Sequence, residues 1–181
     1  KTAKLILENG AVFSGFSFGF EASVSGEVVF NTGMTGYPET LTDPSYKGQI
    51  LVMTYPLVGN YGVPEPIKNQ HGIATNFESD KIHVSGLVVS DYSFDYSHWS
   101  AKKSLADWLK ENKVPGLFGI DTRALTKILR ESGVMPGKIV IDKDIEFNNP
   151  NTKNLVDEVS VKEPVIYGKG KKRICLIDCG V

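Results

Sequence analysis

Asn31 to Gly62 reads NTGMTGYPETLTDPSYKGQILVMTYPLVGNYG, and its interpretation decides the fold. An apolar strand signal, GEVVF (Gly26 to Phe30), runs into it. A second strand signal, Gln49 to Thr54, lies inside it. Ile50 to Met53 are consecutive apolar residues, which predicts a strand buried on both faces. The loop between the strands is dense in backbone-shaping residues. Gly33 and Gly36 allow positive φ or a close approach of another chain segment. Tyr37 precedes proline and is pushed towards extended geometry. Pro38 can open one short helical turn, PETLT, where its missing N–H costs nothing. Asp43-Pro44-Ser45 reads as a turn. A second elaborate loop, YPLVGNYG, follows the buried strand. Loops held by rigid strands are where binding and catalysis concentrate.

Upstream, Lys4 to Glu8 and Ala11 to Ser14 read as strands joined by a two-residue Asn9-Gly10 hairpin turn. Phe16, Phe18 and Phe20 form a stripe at period two, which reads as core. Downstream, Val63 to Ser79 has no clear period and reads as loop. Ile82 to Val89 resumes strand character, and Ser90 to His98 is a polar-aromatic loop. Ser97 or Ser100 can cap a helix whose apolar face is Ala101, Leu105, Trp108 and Leu109. Leu117 to Ile120 is a short strand. Asp121 or Thr122 caps a second helix with Leu125, Ile128 and Leu129 on its apolar face and Gly133 as its stop. Met135-Pro136-Gly137 reads as a turn and Lys138 to Ile141 as a strand. A turn-rich break from Asn148, a short helix over Asn154 to Val159 and a linker to Lys172 follow. The apolar strand RICLID (Arg173 to Asp178) then begins, of the kind that leads into a covering helix. The expectation is a second α/β domain begun here and cut short.

The chain has 181 residues and a formal net charge of −1. A chain of this length buries roughly 70% of its unfolded surface and folds without disulfide or metal. No clustered basic face argues for nucleic acid. The one basic run, KGKKR (Lys169 to Arg173), reads as a solvated linker. Cys175 and Cys179 have no second pair to complete a four-ligand zinc site, and read as small apolar residues of a reducing compartment. No run approaches the roughly 20 apolar residues of a membrane span, and Lys1 to Gly10 lacks the apolar core of a signal peptide. The expected setting is cytoplasmic.

Few residues have the context for chemistry. Cys175 falls mid-strand; Cys179, before Gly180, is better placed for exposure, but no histidine is near it in sequence, so it is not expected to be a nucleophile. His71, His83 and His98 lie in three unrelated contexts and read as core or surface histidines, not metal ligands. Asp121 is explained as a helix cap, and Asp91 and Asp95 as loop residues. There is no phosphate-cradling G-x-x-x-x-G-K-[ST] motif. Ser45, taken by itself, is a turn residue after Asp-Pro. Its hydroxyl can both donate and accept, which suits the charged backbone groups of an amino acid.

GEVVFNTGMTGYPETLTDPSYKGQI followed by TYPLVGNYG resembles the N-terminal domain of the small, glutamine-hydrolysing chain of carbamoyl-phosphate synthase. The likeness continues through IHVSGLVVSDYS, GIDTRALTKILRESG and IDCGV, and is weakest over Val63 to Ser79. It implies a mixed α/β fold, a three-layer β/β/α swivelling domain over residues 1–150. A linker with a short helix follows at 151–172, and the first strand of a truncated class I glutamine amidotransferase domain at 173–181. It implies that Ser45 contacts bound glutamine across the domain boundary. Hydrolysis in this class needs a thiolate on a sharp turn in a G-x-C-x-G-like context, with a histidine and a carboxylate. No such stretch occurs here, so the catalytic residues lie outside the chain and the fragment alone is expected to be inactive. The implied whole enzyme passes ammonia from glutamine to a large chain, which uses ATP, Mg and bicarbonate to make carbamoyl phosphate for pyrimidines and arginine. The present chain would hold no metal or cofactor, and would dock on the large chain through an interface of standard size or larger. The alternative is a protein-interaction module with no glutamine role.

Overall fold

The computed structural model describes residues 1–180. Among these residues eleven strands and four α-helices follow one another, with two 3-10 turns between them. The first strands are β1 (Thr2–Leu7), β2 (Val12–Gly19) and β3 (Val24–Asn31), after which comes α1 (Tyr37–Thr42). Next come β4 (Gln49–Met53), β5 (Leu57–Val58), β6 (Val63–Pro64), β7 (Gly86–Val88), β8 (Asp91–Tyr92) and β9 (Ala101–Lys103). The remainder is α2 (Leu105–Glu111), β10 (Pro115–Phe118), α3 (Thr122–Ser132), β11 (Met135–Val140) and α4 (Leu155–Val159).

Seven strands close into a barrel in the order β1-β11-β3-β4-β7-β10-β2. β3, β4, β7 and β10 are mutually parallel, while β2 and β11 run against their neighbours. The mixed α and β content matches expectation, and the closed sheet is the form it takes. β4 explains why QILVM has no polar alternation. Ile50 and Val52 belong to one apolar cluster and Leu51 and Met53 to another, so both faces are covered. The first cluster fills the barrel with Leu5, Leu7, Val28, Val88, Leu117 and Ile139. α3 adds Leu125 and Leu129 to it at the C-terminal ends of the parallel strands. The second lies outside β4 and β7, where Leu87 and Val89 meet Tyr37 and Leu41 of α1 and Leu105 and Leu109 of α2.

Several expectations are corrected. The first hairpin is not a two-residue Asn-Gly turn. The Leu7 N–H donates to the Ala11 carbonyl at 2.9 Å and the Gly10 N–H to the Leu7 carbonyl at 3.0 Å. Glu8, Asn9 and Gly10 therefore form a three-residue loop with Gly10 alone at φ 88°. The cap of α2 is Ser104, which accepts from the Asp107 N–H at 3.1 Å, because Ala101–Lys103 is taken up as β9 against β6. Asp121 caps α3 through Ala124 at 2.9 Å. Met135-Pro136-Gly137 is ladder, not turn, since β11 pairs with both β1 and β3. Of the phenylalanine stripe only Phe18 is core, while Phe16 is 50% exposed and Phe20 also faces water. Arg173 to Asp178 is not a strand and joins no ladder among the described residues: Ile174, Leu176 and Ile177 are exposed, and the Asp178 carboxylate accepts from the Val161 and Gly180 N–H groups instead. Val181 lies outside the described residues.

Barrel closure demands close backbone approach where β2 meets β10. A Cβ on Gly15 would overlap the Phe118 carbonyl oxygen, and one on Gly116 would lie 2.5 Å from the Phe18 carbonyl oxygen. Neither obstacle is a movable side-chain tip. Gly15→Ala is expected to cost about 2–3 kcal/mol. Gly10→Ala has open space around it and pays only for its left-handed backbone, about 1 kcal/mol. Urea unfolding of the two variants checks the order, and equal losses would contradict it.

Candidate functional site

The loop between β3 and β4 is built from sparse local material. α1 begins after Gly36, whose backbone is left-handed at φ 84° and which offers no capping side chain. The first N–H groups of a helix need acceptors from somewhere. Tyr61, from the turn between β5 and β6, supplies one: its hydroxyl accepts from Gly36 N–H at 2.8 Å and Tyr37 N–H at 3.1 Å. Tyr37 returns the contact by donating its own hydroxyl to the Gly62 carbonyl at 2.7 Å. The two rings stack with centroids 4.2 Å apart. Burial pushes both phenols upward in pKa, so both stay neutral hydrogen-bonding groups. The two loops singled out in the sequence are thus one stitched unit.

The far end of α1 is pinned as well. The Leu41 carbonyl accepts from His83 N–H at 2.9 Å. The Thr42 carbonyl accepts from the Ser79 hydroxyl at 2.6 Å, and the Thr42 hydroxyl accepts from Glu78 N–H at 3.0 Å. Asp43 then accepts from Ser45 N–H at 2.8 Å and caps a single 3-10 turn, Pro44–Tyr46. The Asn31 amide donates to the Tyr46 hydroxyl at 3.2 Å, tying the turn back to the end of β3. On the other side Lys47 pairs with Glu158 at 3.4 Å, and buried Pro150 packs against Gly48. Ser45 is exposed, and its hydroxyl has no partner among the described residues. A turn fixed on every side therefore presents one free hydroxyl to solvent.

The other candidates do not gather around it. Cys175 and Cys179 are exposed free thiols, and neither has a hydrogen-bond partner among the described residues. His71 touches Gln70 and His98 touches Ser100, both at the surface, whereas His83 is buried. No group of three or more His, Cys, Asp or Glu side chains among the described residues is placed to hold a metal. Asp91 and Asp121 share a cavity of about 440 Å³ with Thr122 and Arg123, at the ends of β4, β7 and β10, but Ser45 does not line it. Asp95 does not line it either. No helix among the described residues is long and apolar enough to cross a membrane. Sequence reasoning missed Tyr61 and Ser79. The signal for Tyr61 was the absence of a capping side chain before Tyr37. For Ser79 there was none, because it lies in the stretch without period.

The family model of the carbamoyl-phosphate synthase small chain, CPSase domain, matches residues 5–139. The whole chain is 51% identical to the human protein named carbamoyl-phosphate synthase (ammonia), mitochondrial, and covers 12% of it. It is 52% identical, over 99% of its length, to the multifunctional protein CAD of Squalus acanthias, covering 8% of that protein. It is 47% identical over its full length to the carbamoyl phosphate synthase arginine-specific small chain of Phaeosphaeria nodorum, covering 40% of it. The chain thus spans a minor part of each relative.

The Tyr61 oxygen gives a stability test. Tyr61→Phe leaves two helix-start N–H groups without their acceptor and is expected to cost about 1–3 kcal/mol. Tyr37→Phe, which strands one carbonyl, costs about 1 kcal/mol. In the double variant the losses are expected to fall short of their sum, because both hydroxyls hold the same pair of loops. Denaturant unfolding of the three variants measures this, and strict additivity would count against a stitched unit.

Proposed function

Because the chain belongs to the carbamoyl-phosphate synthase small-chain family, we propose that it is the N-terminal domain of that enzyme's glutamine-hydrolysing chain. It shapes the glutamine pocket with Ser45 and docks on the large synthetase chain. The complete enzyme, on this reading, hydrolyses glutamine and hands ammonia to the large chain, where ATP, Mg and bicarbonate complete carbamoyl phosphate. The barrel, with its outer helices, is taken as this family's β/β/α swivelling domain. Residues after about 172 are taken as the entry to the amidotransferase domain, which brings the thiolate, histidine and carboxylate. Two exposed, unpaired thiols suit a reducing compartment, the cytoplasm.

The observation that carries the reading is the free Ser45 hydroxyl on a braced turn within LTDPSY. A serine held there can donate to a carboxylate and accept from an ammonium group. Because the turn is fixed before any ligand arrives, little ordering entropy is spent on binding. Docking is assigned to the loops within Asn31 to Gly62 and to the loop Ser90 to Trp99. They expose large apolar side chains: Met34, Phe94 and Trp99, the last 92% accessible. Large apolar side chains left in water on these loops are what an interaction surface would cover.

A second reading, an interaction module with no glutamine role, draws on the human relative, whose name specifies ammonia. The same experiment separates the two. In the complete enzyme Ser45→Ala is expected to raise the glutamine KM roughly tenfold or more, the worth of a hydrogen bond to a charged group. Carbamoyl phosphate formation from supplied ammonia should not change. An unaltered glutamine KM would remove Ser45 from the pocket and leave the interaction module. The isolated chain is expected to hydrolyse no glutamine, and alkylating its thiols to abolish nothing.

A further inference from the structure

The structure holds a buried histidine that the proposed chemistry does not use. His83 is 6% exposed. Its Nε2 lies 3.0 Å from the Ser79 hydroxyl oxygen, which itself lies 2.6 Å from the Thr42 carbonyl. Ser79 has one proton to give, and both carbonyls in reach, Thr42 at 2.6 Å and Lys81 at 3.1 Å, can only accept it, the shorter contact being the Thr42 one. The serine oxygen therefore accepts, and the imidazole proton sits on Nε2. That leaves Nδ1 bare, buried and without a partner. The result is a one-way relay, His83 to Ser79 to Thr42, ending on the last residue of α1. Asp43, the next residue, caps the turn that carries Ser45. The His83 backbone N–H holds the neighbouring Leu41 carbonyl as well.

We propose that His83 is a positioning residue for glutamine: acting through Ser79 and Thr42, it fixes the end of α1 and so the place of the Ser45 hydroxyl. This rests on the glutamine reading of Ser45. The pocket around the ring suits neutral imidazole, although Nε2–H donates to Ser79 in either state. A proton on Nδ1 would meet no acceptor. It would also add a positive charge beside Lys81, on the histidine's own segment, and Lys47, on the turn, where Lys47 is already paired with Glu158. Asp43 is the one nearby charge that favours the cation. Burial, then Lys81 and Lys47, hold the His83 pKa below its ordinary value of 6.5. The sign follows: above 6.5 the ring is neutral folded or unfolded, and the relay is intact. As pH falls through the lowered folded value, the proton enters at Nδ1; the Nε2–H bond to Ser79 is kept, but a buried charge and a donor without an acceptor strain the packing that holds the relay in place. Glutamine affinity should therefore weaken on the acid side, where glutamine itself does not titrate.

The test uses the complete enzyme, with glutamine and ammonia as alternative nitrogen sources. His83→Gln keeps a donor near the Nε2 position and cannot titrate. It is expected to retain the neutral-pH glutamine KM and to lose the rise in KM that the native enzyme shows below the ordinary imidazole range. His83→Leu removes the donor and is expected to raise the glutamine KM roughly five- to tenfold at neutral pH, with ammonia-dependent synthesis unchanged. Ser79→Ala cuts the relay without emptying the core and should do the same if the leucine variant fails to fold. Combined with Ser45→Ala, either change should add little, because both act through one hydroxyl. An acid rise in KM that persists in His83→Gln overturns the proposal, as does a native KM in both His83→Leu and Ser79→Ala. If these fail while Ser45→Ala still raises KM, only the role of His83 falls. If Ser45→Ala leaves KM unchanged, the glutamine reading falls and the role of His83 with it.

Discussion

Closure of the seven-stranded sheet is the constraint from which the rest follows. A closed sheet has no free backbone edge, so each strand is satisfied by two neighbours and strand register is fixed all round. Closure is possible because glycines stand where β2 and β10 press together, at Gly15 and Gly116. Once closed, the barrel points its parallel strands one way. Their connecting loops must then cross its outer wall, and α1 and α2 cover that wall with Tyr37, Leu41, Leu105 and Leu109. The buried face of α1 is what gives the Ser45 turn a rigid base.

Local patterning carried the sequence reading a long way. The buried run Ile50 to Met53, the single turn PETLT, the Asp43-Pro44-Ser45 turn and the apolar face of α3 are all where composition and spacing put them. What could not be read is anything decided by pairing over long distance. Met135-Pro136-Gly137 looks like a turn until β1 and β3 claim it from either side. Phe16, Phe18 and Phe20 share a period, but period does not say which of them a later segment will cover. Phe18 is covered because Tyr92 stacks on it at 4.3 Å. The opposite case is Arg173 to Asp178, where a strand signal joins no sheet among the described residues.

The site shows the same division. The turn that carries Ser45 was legible because its chemistry is local, with Asp43 capping Pro44–Tyr46. Its bracing was not, since Tyr61, Ser79 and His83 come from separate segments and each acts through one atom. A lone tyrosine in GNYG or a serine in an aperiodic stretch has no signature of that work. Only the folded chain shows that the hydroxyl of Tyr61 substitutes for a missing helix cap.

The placement of the two tryptophans gives the molecule a built-in optical readout. Trp99 stands almost fully in water beside the His98 ring, on the loop proposed above for docking, whereas Trp108 is half-buried in α2 with Phe77 stacked on it at 5.6 Å. Indole emission moves to shorter wavelength when its surroundings dry out. A blue shift on mixing with a partner would come from Trp99, and a red shift on heating from Trp108, so association and melting are spectrally separable without any added label.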